Sequence, residues 1–337
     1  MKRYGNLYDT VISLDNLDAA ECRARRGKKT RRDVVRFMAD REQNLQRLHQ
    51  SLADGTFHTS PYHIFEITDP KRRTIYSLPY YPDRIVQHAI MNVCEPIFTR
   101  SFIAGTYASI SGRGIHLCVK HLKHALRTDP DGTRYCLKID ISKYYPSIDH
   151  ETMKTEVRRK IKDKRLLALI DGIIDSAPGL PIGNLLSQVL ANVYLSRLDH
   201  YAREQLHVRH YYRYVDDIVV LAGGKKQLHG WLIEIRRCLE DLLHLQVKGN
   251  WQIFPVESRG IDFLGYVFRH DYTLVRKSLK VRMFKRARRG QITTQSLASY
   301  RGWLKWCNGK HLYKKLIHTM ATSLINKLKK WKRRQKS

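Results

Sequence analysis

Two adjacent aspartates, Asp216 and Asp217, stand between two strand-like runs, His207–Tyr214 and Ile218–Leu221. So short a link between apolar runs predicts a β-hairpin with both acids at its tip. The like charges repel there, and each raises the pKa of the other unless cations intervene. On its own, an Asp-Asp pair in a turn reads first as a solvated acidic turn. A third acid changes the balance. In the run 135–141, Tyr135, Leu137, Ile139 and Ile141 alternate with Cys136, Lys138 and Asp140. That pattern predicts a half-buried strand with Asp140 near the end of its opposite face. Three carboxylates converging at one sheet edge would bind Mg²⁺, which takes oxygen ligands and keeps waters and substrate phosphates in its shell. Two such ions about 4 Å apart activate an attacking 3′-hydroxyl and stabilise a leaving pyrophosphate.

The flanking sequence reads as an α+β chain. Residues 12–54 are mostly helical, and 61–82 hold short β-like pieces broken by prolines. Helices are expected at 83–98, 115–127, 151–160, 164–176, 184–206 and 225–243, with a loop at 177–183 and a short strand at 261–268. Beyond about 269 the chain reads as helical and basic. Strand, two helices, long helix, hairpin, helix and strand make one apolar sheet with its acids at an edge.

The charge names the partner. Lys and Arg total 62 against 31 acidic residues, a formal net charge of +31. Self-repulsion of that size opposes a compact state unless a polyanion is a regular companion, and nucleic acid is the natural one. The basic concentrations at 23–32, 158–165, 276–289 and 327–336 suit a long groove along a phosphate backbone; the last also fits a solvated tail. A hydrophobic fraction of 42% excludes global disorder. Six scattered cysteines with no metal-ligand spacing read as buried free thiols, so a disulfide scaffold and a zinc site are not expected. With no membrane-length apolar run and no signal-peptide pattern, a cytoplasmic location in the host cell and no membrane partner are expected.

RYVDDIVVL resembles the YxDD box of reverse transcriptases, and LKIDISKYYPSID resembles their motif A, with Tyr145 five residues after Asp140. PKRRTIYSLPYYPDRIVQHAI resembles the bacterial enzymes' fingers segment, and IDFLGY the segment that introduces their thumb. The resemblance covers about residues 55–290 in the family's order. It implies a right-hand polymerase: an N-terminal extension and fingers over 1–134, a palm of antiparallel sheet plus helices over 135–265 with a fingers-like insertion at about 151–180, and a basic helical thumb and tail over 266–337. It implies that Asp140, Asp216 and Asp217 are catalytic and hold two Mg²⁺ ions with the Ile141 carbonyl. Lys71 and Arg73 would hold the triphosphate of a dNTP, with Arg72 an alternative. Tyr145 would lie under the sugar and exclude a 2′-hydroxyl; a core aromatic role is the other reading. Ile182, Gly183 and Gln188 would line the nucleotide site. Phe263, Leu264, Gly265 and Tyr266 would form the primer grip, and the helices beyond would hold the RNA–DNA hybrid. Lys248 is either the acid for pyrophosphate or a surface lysine.

Departures from the wider pattern set the subtype. Group II intron enzymes usually carry QGxxxSP, whereas this chain has Ile182-Gly183-Asn184-Leu185-Leu186-Ser187-Gln188. That form, with SRGIDFLGYVFRHDYTLVRKS, resembles the reverse transcriptases of diversity-generating retroelements. Room for maturase, endonuclease or RNase H domains is not expected after the thumb. Ile110 takes the place of an arginine in the loop at 107–113, where Arg113 is the compensating candidate. The resemblance implies copying of a template-repeat RNA into cDNA with misincorporation at adenines, so that a variable gene region is diversified. It implies a small basic accessory protein, oligomeric, and the element's own RNA as partners. An isoleucine at 182 lacks the hydrogen bonds of a glutamine and is expected to weaken nucleotide selection; a neutral packing change is the alternative. A retron-like or free-standing group II intron-type enzyme of ordinary fidelity is the alternative function.

Overall fold

The protein is described by a computed structural model that covers residues 2–68 and 72–334. Lys71 lies outside the described residues. Four helices open the chain: α1 (Tyr8–Ile12), α2 (Leu14–Ala24), α3 (Arg32–Ala39) and α4 (Arg41–Ala53). The strands β1 (His63–Ile67) and β2 (Arg73–Ser77) follow, then α5 (Ile85–Thr99), α6 (Ile115–Thr128) and β3 (Tyr135–Asp140). Next come α7 (His150–Arg158), α8 (Lys164–Ile174), α9 (Leu185–His200), β4 (His210–Tyr214), β5 (Asp217–Ala222) and α10 (Lys225–Leu243). The last elements are β6 (Gln252–Pro255), α11 (Val256–Arg259), β7 (Ile261–Phe263), β8 (Tyr266–Phe268), β9 (Thr273–Val275), α12 (Lys277–Arg288), α13 (Thr294–Lys305) and α14 (Lys310–Arg334).

The chain divides into two compact units, each made of separated stretches. The first comprises Met1–Ser111, Asp140–His207 and Ile233–Gly249. Its centre is α9, where Leu186, Val189, Leu190, Val193, Tyr194, Leu195 and Leu198 are buried. A helix apolar on nearly every side has to sit inside the core, and α5 packs against it and against α2. The mostly helical stretch 12–54 forms three helices: Gly27, with a left-handed φ of 70°, lies between α2 and α3, and Asp40, with a non-helical φ of −127° and ψ of 42°, separates α3 from α4. Asp163 caps α8 through Leu166 N–H at 3.1 Å and also accepts from Leu7 and Tyr8 N–H at 2.7 and 2.9 Å, which ties the N-terminal segment down. The expected helix over 184–206 ends at His200 and continues as a wider turn, Tyr201–Gln205.

The second unit comprises Gly112–Ile139, Val208–Leu232 and Asn250–Ser337. Its main sheet runs β4-β5-β3-β6, and β4 pairs antiparallel with β5 and β3 with β6. Along the face expected to be solvated, Cys136 is fully buried while Lys138 and Asp140 are half-exposed, so β3 is covered on both faces only near its start. A smaller antiparallel sheet, β7-β8-β9, introduces three helices. Their shared core is Val275, Met283, Ala287, Leu304 and Leu316. On α12 the residues Leu279, Met283, Phe284 and Ala287 face that core, while Lys277, Lys280, Arg282, Lys285 and Arg286 are exposed. The described residues include no helix long and apolar enough to cross a membrane.

Candidate active site

The hairpin is tighter than the sequence implies. Tyr214 pairs with Asp217, so the turn is Val215 and Asp216 alone and Asp217 is the first residue of β5. Val215 adopts a φ of 59°. A β-branched side chain resists that conformation, at about 1–3 kcal/mol. The Arg213 guanidinium, buried beneath, donates from Nη1 to the Val215 carbonyl at 2.9 Å. Asp217 has Lys138 Nζ 3.8 Å from its Oδ1. Burial, with Asp217 adding its negative field, raises the thiol pKa of Cys118 and Cys136 and keeps both protonated.

Asp140 is the last residue of β3, the strand next to β5 in the sheet. Lys248 N–H donates to the Asp140 carbonyl at 2.8 Å, and Lys248 Nζ lies 3.5 Å from Asp140 Oδ2. Ile141 is bridged to Val247 and buried, and Ser142 N–H donates to Gln246 O at 2.8 Å. The backbone at the carboxylate is therefore fixed on both sides. All three aspartates are half-exposed. Among the described residues no three or more His, Cys, Asp or Glu side chains are gathered closely enough to hold a metal ion by themselves. An all-oxygen, half-open set fits Mg²⁺, which draws the rest of its shell from water and substrate phosphates. Asp140 and the Ile141 carbonyl in the first unit, and Asp216 and Asp217 in the second, are the oxygen donors each unit has to offer such an ion.

The loop before α9 is strapped on two sides within the first unit. Leu180 N–H donates to Tyr145 O at 2.8 Å, and Tyr76 N–H of β2 donates to Ile182 O at 2.9 Å. Gly183 has a φ of 124°, and a Cβ there would lie 2.8 Å from the Tyr76 carbonyl. Gly179 is pressed likewise on the Tyr145 and Pro146 carbonyls. This loop thus brings Tyr145, Ile182, Gly183 and the strand headed by Arg73 together. Tyr145 is half-buried, against the neighbouring Tyr144 ring at 5.5 Å. Arg72 is committed to Glu66 at 2.8 Å, and Arg73 is exposed with no ion pair or hydrogen bond among the described residues.

Two residues to which the sequence reading gives no role complete the loop. Asn184 precedes α9 but turns its amide to Tyr62 OH at 3.3 Å, and Tyr62 OH meets Ser176 Oγ at 2.7 Å. Gln87 of α5 supplies the missing cap, its Oε1 accepting from Leu186 N–H at 3.4 Å. Gln188 is exposed and accepts from Ser109 Oγ at 3.2 Å, which ties the loop at 107–113 to α9. Ile110 in that loop is buried, whereas Arg113 is half-exposed. Phe263 and Tyr266 have fully buried side chains, and Gly265 lies beneath Trp303, where a Cβ would come within 2.7 Å. Only the half-exposed Leu264 and the turn backbone are left to meet a strand.

The family model described as reverse transcriptase (RNA-dependent DNA polymerase) matches residues 68–268, more than half of the chain. Protein YkfC of Escherichia coli K12 is 28% identical over 269 residues, covering 66% of this chain and 70% of that protein. The group II intron-encoded protein LtrA of Lactococcus lactis is 27% identical over 173 residues, covering 48% of this chain and 28% of LtrA. The solved telomerase of Candida albicans, in complex with a fragment of telomeric RNA, superposes with a TM-score of 0.50 at 11% identity, over 78% of this chain and 55% of that one. That likeness speaks to the fold alone, and the α+β architecture is that of a right-hand polymerase. The chain belongs to the reverse transcriptase family, the RNA-dependent DNA polymerases.

Proposed function

We propose that the chain copies a template-repeat RNA into cDNA by nucleotidyl transfer and misincorporates at template adenines, diversifying a variable gene region. Mg²⁺ supplies activation of the primer 3′-hydroxyl and charge neutralisation at the departing pyrophosphate. Asp140, Asp216 and Asp217 hold it with the Ile141 carbonyl, Arg73 and Lys71 hold the triphosphate, and Tyr145 sits under the sugar. The segment 1–134 serves as extension and fingers, 135–265 as palm and 266–337 as thumb and tail. The observation that carries this reading is the doubly strapped loop, which gathers Tyr145, Ile182 and the Arg73 strand at one place. The adenine-specific subtype rests on Ile182 and Gln188, where the group II intron pattern has other residues. The element RNA and a small basic accessory protein are its partners. Ordinary-fidelity synthesis of the group II intron type is the second reading, favoured by the LtrA likeness.

Sequencing the DNA made from an RNA template with Mg²⁺ and four dNTPs separates them. Product should vanish in Asp216→Ala, and errors should concentrate at adenines and fall in Ile182→Gln. Rare, evenly spread errors select the intron-type reading. Synthesis that survives Asp216→Ala overturns the site.

A further inference from the structure

Arg213 is the bulkiest of the fully buried side chains among the described residues. A charged group this deep is rare unless its charge and hydrogen bonds are used. One of those bonds goes to a specific place. From the last turn-facing positions of β4, Nη1 reaches two residues forward to the carbonyl of Val215, at 2.9 Å. Val215 is the residue that holds a φ of 59°, and the residue after it is Asp216. A left-handed valine in a two-residue turn is not a conformation the local sequence favours; glycine or asparagine would take it unaided. The guanidinium bond is what the turn has in place of a permissive residue. It also puts a fixed positive charge under a turn that carries two adjacent carboxylates, where like-charge repulsion works against the ordered hairpin.

We propose that Arg213 is a positioning residue for the metal-binding turn: its buried guanidinium holds the Val215 carbonyl, keeps the turn left-handed, and so aims the Asp216 carboxylate. This rests on the reading of Asp216 as a metal ligand. Lysine is no substitute, because it offers a flexible point charge where the planar fork offers directed donors. An arginine in a strand with no other Lys, Arg, Asp or Glu, His210-Tyr211-Tyr212-Arg213-Tyr214, is thereby matched to a valine rather than a glycine in the turn.

The test uses the full chain with Arg213→Met and Arg213→Lys, each alone and combined with Val215→Gly. One readout needs no catalysis: luminescence titration of the free protein with Tb³⁺ alone, with Asp216→Ala as reference. The second is primer extension against Mg²⁺ concentration. Arg213→Met should raise the half-saturating concentration of both ions at least fivefold, with the KM for dNTP moving less than twofold. Arg213→Lys should resemble Arg213→Met. Adding Val215→Gly should recover most of the loss in Arg213→Met, since glycine takes the left-handed conformation without help. Arg213→Met that is insoluble alone but folds with Val215→Gly also supports the proposal.

Unchanged metal half-saturation in Arg213→Met overturns it. So does a loss that Val215→Gly leaves in place, or insolubility in both backgrounds, because the buried charge then serves the core and not the turn. A wild-type chain that makes no DNA, yet binds Tb³⁺ in a manner dependent on Asp216 and Arg213, removes the polymerase reading and leaves this one standing.

Discussion

Gly183 shows how a single residue fixes the nucleotide loop. Its φ of 124° is closed to side-chain-bearing residues, and the Tyr76 carbonyl occupies the space of a Cβ at 2.8 Å. Alanine there forces either the loop or β2 to move and breaks the Tyr76–Ile182 bond. Strain of that kind costs about 1–3 kcal/mol. Gly183→Ala should therefore raise the KM for dNTP about tenfold, the equivalent of about 1.4 kcal/mol, with the Mg²⁺ dependence unchanged; an unaltered KM would show that the loop is not part of the nucleotide site. The glycine and the aspartates were legible in the sequence for different reasons. Asp216 and Asp217 alone fit a solvated acidic turn, and it is Asp140 upstream that makes the three carboxylates candidates for a cation site. Gln87, Asn184 and Arg213 were not legible. Each acts through a partner distant in sequence or through a backbone conformation, and neither leaves a local pattern. Only the charge inside the strand His210–Tyr214 could have flagged Arg213.

At the scale of elements, periodicity located most helices and the strands β3 to β5, but it missed β6 and β9 and took 261–268 for one strand where Leu264 and Gly265 turn the chain between β7 and β8. The stretch 12–54 is mostly helical as expected, but Gly27 interrupts it, where a left-handed backbone outweighs helix-forming neighbours. The hairpin was placed correctly, but its register was not, since Tyr214–Asp217 pairing depends on a turn conformation that valine does not advertise. Two elements invite direct tests. In the α12–α14 assembly Leu316 is fully buried against Met283, Ala287 and Leu304. Leu316→Ala leaves a cavity worth about 2–5 kcal/mol. Hydrogen exchange should accelerate across α12, α13 and α14 and not in the β4-β5-β3-β6 sheet, and the products should shorten. Near the start of α5, His88 is held down to about 4 by burial first and then by Lys28, Arg23 and Arg84. Its folded pKa lies below the unfolded value of about 6.5, so the unfolded chain takes up the proton first. The stability His88 contributes is complete above about pH 6.5 and is lost as pH falls toward 4. His88→Gln should flatten thermal stability across that window; a wild-type melting temperature already flat there would show that His88 titrates normally.

The whole molecule carries its function in its charge. A net +31 on 337 residues is a standing cost to the compact state. The structure shows where some of that charge is placed: Arg23, Arg26, Lys29, Arg31 and Arg32 are exposed around the turn between α2 and α3, and Lys277, Lys280, Arg282, Lys285, Arg286, Arg288 and Arg289 line the outer side of α12 and its end. Arg31 is paired with Asp33, and Arg23 and Arg286 hydrogen-bond within the chain, but acidic partners are half as many as basic residues over the whole sequence, so a polyanion would relieve the remaining repulsion. If that partner is a phosphate backbone, each neutralised phosphate releases counterions, and the logarithm of the binding constant falls with the logarithm of salt by about 0.7–0.9 per contact. Binding of an RNA–DNA hybrid should therefore weaken steeply between about 50 and 200 mM salt. Replacing Lys280 and Arg282 together by Gln should lower the slope by about 1 for each phosphate lost while leaving the Mg²⁺ half-saturation where it was, because those lysine and arginine side chains lie on a helix that contributes no carboxylate to the site. A salt response equally steep in the double variant would assign the charge of α12 to solubility and move the hybrid elsewhere on the molecule.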